Sequence, residues 1–173
     1  MQVRFAALLA TLLAAALVGC SAPSDRLRFA TGPQGGTWYP LAGALKSILE
    51  QRLEHVSVQV LPGGGIANVL AVETGRAHVG FANSVSTVDA INGQPPFQDR
   101  AKNVCNVATL YPQYFQVATL AGSGIESPAD FRGKVLSAQM RGNTAEAMTA
   151  HLLKAYGMDY KDLARINYGS YTD

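Results

Sequence analysis

The feature that most constrains this chain is a strand pattern followed by a turn and a helical pattern, three times in succession. Apolar residues alternate with other residues in three segments, 26–29, 56–60 and 77–81. After each segment the apolar residues change to helical spacing. Strands that alternate with short crossover helices form a mostly parallel sheet with helices on its faces. The fold class predicted is therefore α/β with a mostly parallel sheet.

The turns after the strands are rich in glycine and indicate a binding edge. They read GPQGGTWYP, PGGGIAN and, farther along the chain, RGNTAEA. The unpaired N–H groups at a helix start attract anions, but none of these turns has the Gly-Lys-Ser/Thr ending of a nucleotide loop or the spacing of a dinucleotide fold. A carboxylate is the ligand that remains, with the Thr37 and Thr144 hydroxyls as neutral donors.

Further signals mark the beginnings of helices. The Thr37 hydroxyl is expected to cap the first helix, and Ser127 is expected to cap a short helix with a proline in its first position. Asn143 stands three residues before Glu146, which is the spacing of a capping box. Strands are predicted near 134–137 and 165–168, so that a second α/β unit begins in the last third of the chain.

The first twenty residues, MQVRFAALLATLLAAALVGC, are typical of a secretory signal. Their apolar stretch, 5–18, is shorter than the roughly 20 residues of a membrane-spanning helix. Small residues before Cys20 resemble a bacterial lipobox, which predicts acylation of Cys20 and a protein anchored by lipid in the periplasm or at the cell surface. A plain secretory signal that happens to contain a cysteine is the alternative.

Composition argues against several classes of function. Fourteen basic and 12 acidic residues nearly balance, and no basic block exceeds two residues, so no nucleic-acid partner is expected. No metal-ligand spacing and no pair of catalytic acids is found, so no metal, no cofactor and no enzyme activity are predicted. Cys105 is expected to be a buried core thiol, and the alternative is a thiol hydrolase that would need a histidine base.

Three longer segments together carry a resemblance to a known family: ATGPQGGTWYPLAGAL, VLPGGGIANVLAVETGRAHVGFANS and ATLYPQYFQVATLAGSGIESPADFRGKVLSAQMRGNTAEAMTAHLLKAYG. They resemble the solute receptors of TAXI-type TRAP transporters over residues 26–171. The resemblance implies a type II periplasmic-binding-protein fold, in which two α/β domains close on a glutamate-like amino acid or a dicarboxylate. It also implies membrane subunits that import the ligand with an ion gradient, and a monomeric receptor.

The resemblance also implies a ligand site, carried over by motif. Its residues are Gly36, Thr37, Tyr39, Asn83, Ser84, Tyr111, Gly142, Asn143, Thr144 and Ala145. Trp38 stands where relatives often have tyrosine, and it is expected either to wall the cleft or to pack on the first helix.

The predicted organisation has five parts: a lipoprotein signal peptide at 1–19, a linker at 20–25, a first α/β domain at 26–112, a crossover strand or hinge at 113–120, and an incomplete second α/β domain at 121–173. Family receptors are nearly twice as long as this chain. Two alternatives therefore stay open. One is an ABC-importer binding protein of similar fold for a sulfonate-like or aromatic solute, and the other is a truncated lipoprotein that binds nothing.

Overall fold

The computed structural model describes residues 25–171. The predicted signal peptide, the Cys20 lipidation site and nearly all of the linker lie outside the described residues. The elements follow in the order β1 (Asp25–Ala30), α1 (Trp38–Arg52), β2 (Val56–Leu61), α2 (Gly65–Glu73), β3 (Val79–Gly80), α3 (Ser84–Asn92), a 3-10 helix (Pro128–Phe131), β4 (Val135–Gln139), α4 (Thr144–Ala155), a second 3-10 helix (Tyr160–Asp162) and β5 (Arg165–Gly169).

The strands form two parallel sheets, one of three strands in the order β2-β1-β3 and one that pairs β4 with β5. β1 pairs with β2 along its whole length, with Ala30 opposite Leu61 at the carboxyl end. β3 is shorter than the pattern predicts, although Phe81 continues the pairing by donating its N–H to the Ala30 carbonyl at 3.0 Å. The predicted α/β fold with parallel strands and flanking helices is confirmed.

The core of the first sheet is built from alternating strand residues and the apolar face of α1. Phe29, Val58 and Phe81 are buried together with Ala42 of the helix. The Trp38 ring lies 5.6 Å from the Phe81 ring, centroid to centroid, and packs against this core. Packing of Trp38 against the core is thus observed, and its predicted role as a wall of the cleft stays a prediction.

Two further clusters hold the remaining elements. One lies under α4 and contains Phe131, Leu153, Met158 and Leu163. The other is formed by residues of α2, α3 and the loop after α3, and Ala147 of α4 packs against it. The second cluster therefore joins the two halves of the molecule, defined here as residues 25–92 and residues 128–171.

The connection between the halves departs from prediction. No strand is assigned within 104–120, so the strand expected at 113–120 is not formed, because no neighbouring described strand supplies the ladder hydrogen bonds. The prediction of a buried Cys105 thiol is also wrong, since the residue is exposed. Val104 packs on a core cluster, whereas Val107 is 85% exposed, so the apolar flanks of Cys105 do not form one buried face. The predicted domain limits stay a prediction.

Candidate functional site

The carboxyl edges of the two sheets face each other. The turn after β1 contacts the residue after β5, because the Ser170 hydroxyl donates to the Gln34 carbonyl at 3.2 Å. In α2, which follows β2, the Ala67 N–H donates to the carbonyl of Gly142, in the turn after β4, at 3.0 Å. Both contacts join residues that follow strands, which is the edge where ligands bind in parallel sheets.

Three helix starts converge at Gly65, the first residue of α2. A Cβ atom placed on Gly65 would lie 2.1 Å from the Thr144 Oγ1 atom and 2.8 Å from the Asn83 Oδ1 atom. Asn83 precedes α3 and Thr144 begins α4, so only glycine permits this close approach. The positive ends of three helix dipoles meet here, and that arrangement favours an anion.

A buried hydroxyl pair links the halves beside Gly65. The Ser86 and Thr144 hydroxyl oxygens are 2.8 Å apart, and both residues are buried. The sequence analysis identified Thr144 but missed Ser86. A signal was available, because Ser86 and Ala90 are small residues one turn apart on α3 and both are buried.

Asn68 in α2 ties three turns together and was also missed. Its side-chain N–H groups donate to the carbonyls of Thr31 at 2.8 Å and Phe81 at 2.7 Å. Its Oδ1 atom accepts from the Gly64 N–H at 3.2 Å. Asn68 is 1% exposed, so it fixes the turns after β1, β2 and β3 from inside the protein. The available signal was an amide between the apolar residues Ile66 and Val69.

The predicted residues of the second half lie at this convergence. Gly142 bonds to α2, and the Asn143 Oδ1 atom accepts from the Ala145 N–H at 2.9 Å, which confirms Asn143 as a helix cap. The capping box predicted with Glu146 is wrong within the described residues. The Glu146 carboxylate instead accepts a hydrogen bond from the Tyr160 hydroxyl at 2.8 Å.

The predicted residues of the first turn differ in how closely they approach the rest of the candidate site. Gly36 approaches Tyr171 closely, since a Cβ atom on Gly36 would lie 2.9 Å from the Tyr171 Cε2 atom. The predicted Thr37 cap is wrong: in the described structure the Thr37 side chain forms no capping hydrogen bond, and its backbone is already helical, unlike that of a capping residue. Tyr39 lies in the first turn of α1, and no hydrogen bond among the described residues joins it to Gly65 or its neighbours.

The two remaining predicted residues are Ser84 and Tyr111. Ser84 is the exposed first residue of α3 and directly follows Asn83. Tyr111 is exposed, and no hydrogen bond or ring contact of the described residues joins it to the convergence. Its segment is nevertheless close, since the Asn83 side-chain N–H donates to the Gln113 Oε1 atom at 2.5 Å.

An aromatic group with an arginine lies beside the start of α4. The Arg141 guanidinium stands 4.5 Å above the centre of the Tyr168 ring. The Tyr160 ring meets the Tyr168 ring edge-on at 6.2 Å. Burial, and then the hydrogen bond to Glu146, raise the pKa of the Tyr160 phenol, so that it stays a protonated donor.

Other features of the described residues add little evidence about a ligand or a reaction. A cavity of about 320 Å³ lies between the end of β2 and α2, with Gly63 and Asn68 in its lining. Within residues 25–171, no group of three or more His, Cys, Asp or Glu side chains is arranged to hold a metal ion. No described helix is both long enough and apolar enough to cross a membrane.

Comparison with known proteins gives a family match and a similar solved structure. The model of the NMT1-like family matches residues 29–173. The crystal structure of the periplasmic aliphatic sulphonate binding protein SsuA from Escherichia coli is similar over 86% of this chain, with a TM-score of 0.45 and 15% sequence identity. The match covers 46% of that protein, so this chain spans about half the length of the solved structure.

Proposed function

The chain belongs to the NMT1-like family, and from that premise we propose that it is an extracytoplasmic solute receptor. It captures a small carboxylate, either a glutamate-like amino acid or a dicarboxylate, between the facing turns of its two halves. It then presents this ligand to the membrane subunits of a TRAP-type importer. The receptor catalyses no reaction.

The observation that carries this proposal is the convergence of three helix starts at Gly65. An anion near a helix start gains about 0.3–1 kcal/mol at an exposed position and up to about 2 kcal/mol when partly buried. The hydroxyls of Thr144 and Ser86 add donors that carry no charge. Together these groups suit a carboxylate better than a cation or an apolar ligand.

Binding at this place requires the halves to separate. The Ser86 and Thr144 hydroxyls bond to each other, and the Ala67 N–H donates to the Gly142 carbonyl. A ligand that uses these donors competes with the contacts between the halves. Ligand capture is therefore coupled to a change in the arrangement of the halves, and the bound arrangement is the one that the importer recognises.

The test is a titration of the protein with L-glutamate, succinate and glutarate, followed by the fluorescence of Trp38, the single tryptophan. Ethanesulfonate belongs in the same series, because a sulfonate receptor of an ABC importer is the alternative left by the sequence. Saturable binding of a carboxylate is expected. Isothermal titration calorimetry covers the case in which Trp38 does not respond. Binding of none of the carboxylates by either method would contradict the proposal.

Thr144→Val provides the matched test of the site. It keeps the shape of the side chain and removes the hydroxyl, so carboxylate affinity is expected to fall about tenfold. Thr109→Val makes the same chemical change on the exposed connection and is expected to leave affinity unchanged. Equal affinity in both variants would place the ligand away from Thr144.

The lipid anchor is tested separately on Cys20. Cys20→Ser is expected to move the protein from the membrane fraction to the soluble fraction, because two or more acyl chains are needed for a stable anchor. Cys105→Ser is the control and is expected to stay in the membrane fraction. Fractionation of cells followed by immunoblotting measures both. A Cys20→Ser protein that stays in the membrane fraction would disprove the anchor.

A further inference from the structure

We propose that Arg141 is the residue that selects a ligand with a second anionic group, and that Tyr168 is the platform that positions it. This inference rests on the proposed function, since it assigns a specificity determinant to the same site. The sequence analysis assigned no role to either residue.

The place of Arg141 is the carboxyl edge of the second sheet. Arg141 directly precedes Gly142, whose carbonyl accepts a hydrogen bond from α2 of the other half. Tyr168 lies in β5 opposite Ala138, one residue from the end of that strand. Both residues therefore belong to the edge that faces the convergence at Gly65.

The orientation of Arg141 is set by the Tyr168 ring. The guanidinium lies 4.5 Å from the centre of the Tyr168 ring. Tyr160 braces that ring edge-on, and the Tyr160 hydroxyl is itself fixed by Glu146 of α4. A guanidinium that lies over a ring keeps its N–H edge in the plane of the group, where a carboxylate or a sulfonate binds in bidentate fashion.

The charge of Arg141 is not neutralised by a neighbouring acid. Among residues 25–171 the ion pairs are Lys46 with Glu50 and Arg132 with Asp162. Glu146, the acid in the first turn of α4, bonds to Tyr160 instead. The cation at this edge is thus available to an anionic group of a ligand, while the helix starts at Gly65 receive the first anionic group.

The experiment compares ligands that differ in one anionic group. The probes are succinate with butyrate, and L-glutamate with L-glutamine, titrated by calorimetry into the wild type and variants. Arg141→Gln is expected to weaken the binding of succinate and L-glutamate about tenfold to a hundredfold and to leave butyrate and L-glutamine unchanged. Arg141→Lys keeps the charge without the planar fork and is expected to fall between the two proteins.

Two controls separate this role from a general effect of charge or of folding. Arg165→Gln removes an exposed arginine from the opposite, amino-terminal edge of the same sheet and is expected to leave every affinity unchanged. Tyr168→Leu removes the ring and is expected to weaken dianion binding less than Arg141→Gln does. Thermal unfolding of each variant checks that it is folded.

The outcomes are distinct. Wild-type affinity for succinate and L-glutamate in a folded Arg141→Gln protein would overturn the inference and leave the proposed function standing. An equal loss in Arg165→Gln would also overturn it, because the effect would then belong to the net charge. A wild type that binds none of the anionic probes would overturn the proposed function, and the role of Arg141 with it.

Discussion

The two halves of the molecule satisfy the starts of their helices in different ways. In residues 25–92 the residues before α1, α2 and α3 form no side-chain capping hydrogen bond within the described structure. In residues 128–171 side chains close the helix starts. Asn143 accepts from the Ala145 N–H, Asp159 accepts from the Lys161 N–H, and Asp130 accepts from the Ser127 N–H.

The difference lies in which backbone N–H groups at the helix starts are already occupied by a side chain. A side-chain cap contributes about 1 kcal/mol and occupies one N–H group that would otherwise attract an anion. The first half forgoes this stabilisation at three starts and keeps those groups for other partners. In this half the buried Asn68 side chain fixes the turns after β1, β2 and β3 from inside the protein. The second half secures its helices locally, and Arg141 is the charged group that we propose for its edge.

The largest effect on the free energy of unfolding is expected from Asn68, whose side chain fixes the turns of the first half in the absence of side-chain caps at its described helix starts. Asn68→Leu keeps the size of the side chain and leaves the Thr31 and Phe81 carbonyls and the Gly64 N–H without their partner. Each unpaired buried group costs about 1–3 kcal/mol, so the loss of three partners is expected to lower the free energy of unfolding by about 3–9 kcal/mol. Urea unfolding followed by circular dichroism measures it. Asn167→Leu, on an exposed strand position, is the control and should change this free energy by less than about 1 kcal/mol. Equal losses in the two variants would show that Asn68 does not fix the three turns.

The next effect tests the contact between the halves. A Cβ atom on Gly64 would lie 3.0 Å from the Asn143 Cα atom and 3.1 Å from the Gly142 carbonyl oxygen. Backbone atoms cannot rotate away, so Gly64→Ala is expected to lower the free energy of unfolding by about 1–3 kcal/mol.

Gly43→Ala is the matched control for Gly64→Ala. Gly43 lies within α1, and a Cβ atom there would meet nothing within 4 Å. This variant is expected to raise the free energy of unfolding by up to about 1 kcal/mol through helix propensity. The same sign for both variants in urea unfolding would mean that the halves do not meet at Gly64.

A smaller effect is expected from substitutions that compare a capped helix start with an uncapped one. Asn143→Ala removes an observed cap and is expected to cost about 1 kcal/mol, within the range of about 0.5–2 kcal/mol known for caps. Thr37→Ala makes the equivalent change at the start of α1, where no capping bond is formed among the described residues, and is expected to cost close to nothing. Thermal unfolding of the two variants side by side measures both, and a larger loss for Thr37→Ala would reverse the comparison.

The smallest effect is a pH dependence that arises from Asp130 in the second half. Hydrogen bonds from the Ser127 N–H, the Glu126 N–H and the Ser127 hydroxyl hold the pKa of the Asp130 carboxyl below its ordinary value. A lowered pKa in the folded state stabilises the protein above the ordinary pKa of about 3.9, and this stabilisation is lost as the pH falls through the lowered value. The difference in melting temperature between the wild type and Asp130→Asn should therefore stay constant from pH 7 to about 5 and shrink below about 4. A difference that stays the same down to pH 3 would contradict this assignment.

Much of the fold could be predicted because local patterns determine it. Alternating valines gave β2, and the Asn143 cap followed from one side chain and its own helix. Predictions that depend on residues distant in the sequence were less accurate. Glu146 has the spacing of a capping box but bonds to Tyr160, which lies 14 residues farther along the chain. Cys105 has valine neighbours but no sheet to bury it.

The candidate site shows the same limit. Motif comparison found Asn83, Gly142 and Thr144, which follow strands in sequence. It missed Ser86 and Asn68, because a small polar side chain on a helix acquires its role only when another element packs against it. Ser86 meets Thr144 across 58 positions of sequence, and no local pattern encodes such a pair.

The Asn68 amide has a consequence for motion. It joins the turns after β1, β2 and β3 from inside the protein, so these turns are expected to move together. Any rearrangement that parts the two halves must then be taken up elsewhere in the chain. The connection 104–120 has no sheet pairing in the described structure and is largely exposed. If the halves separate as proposed, this connection is the segment expected to bend. A single buried amide is thus expected to keep the shape of this edge while the halves separate.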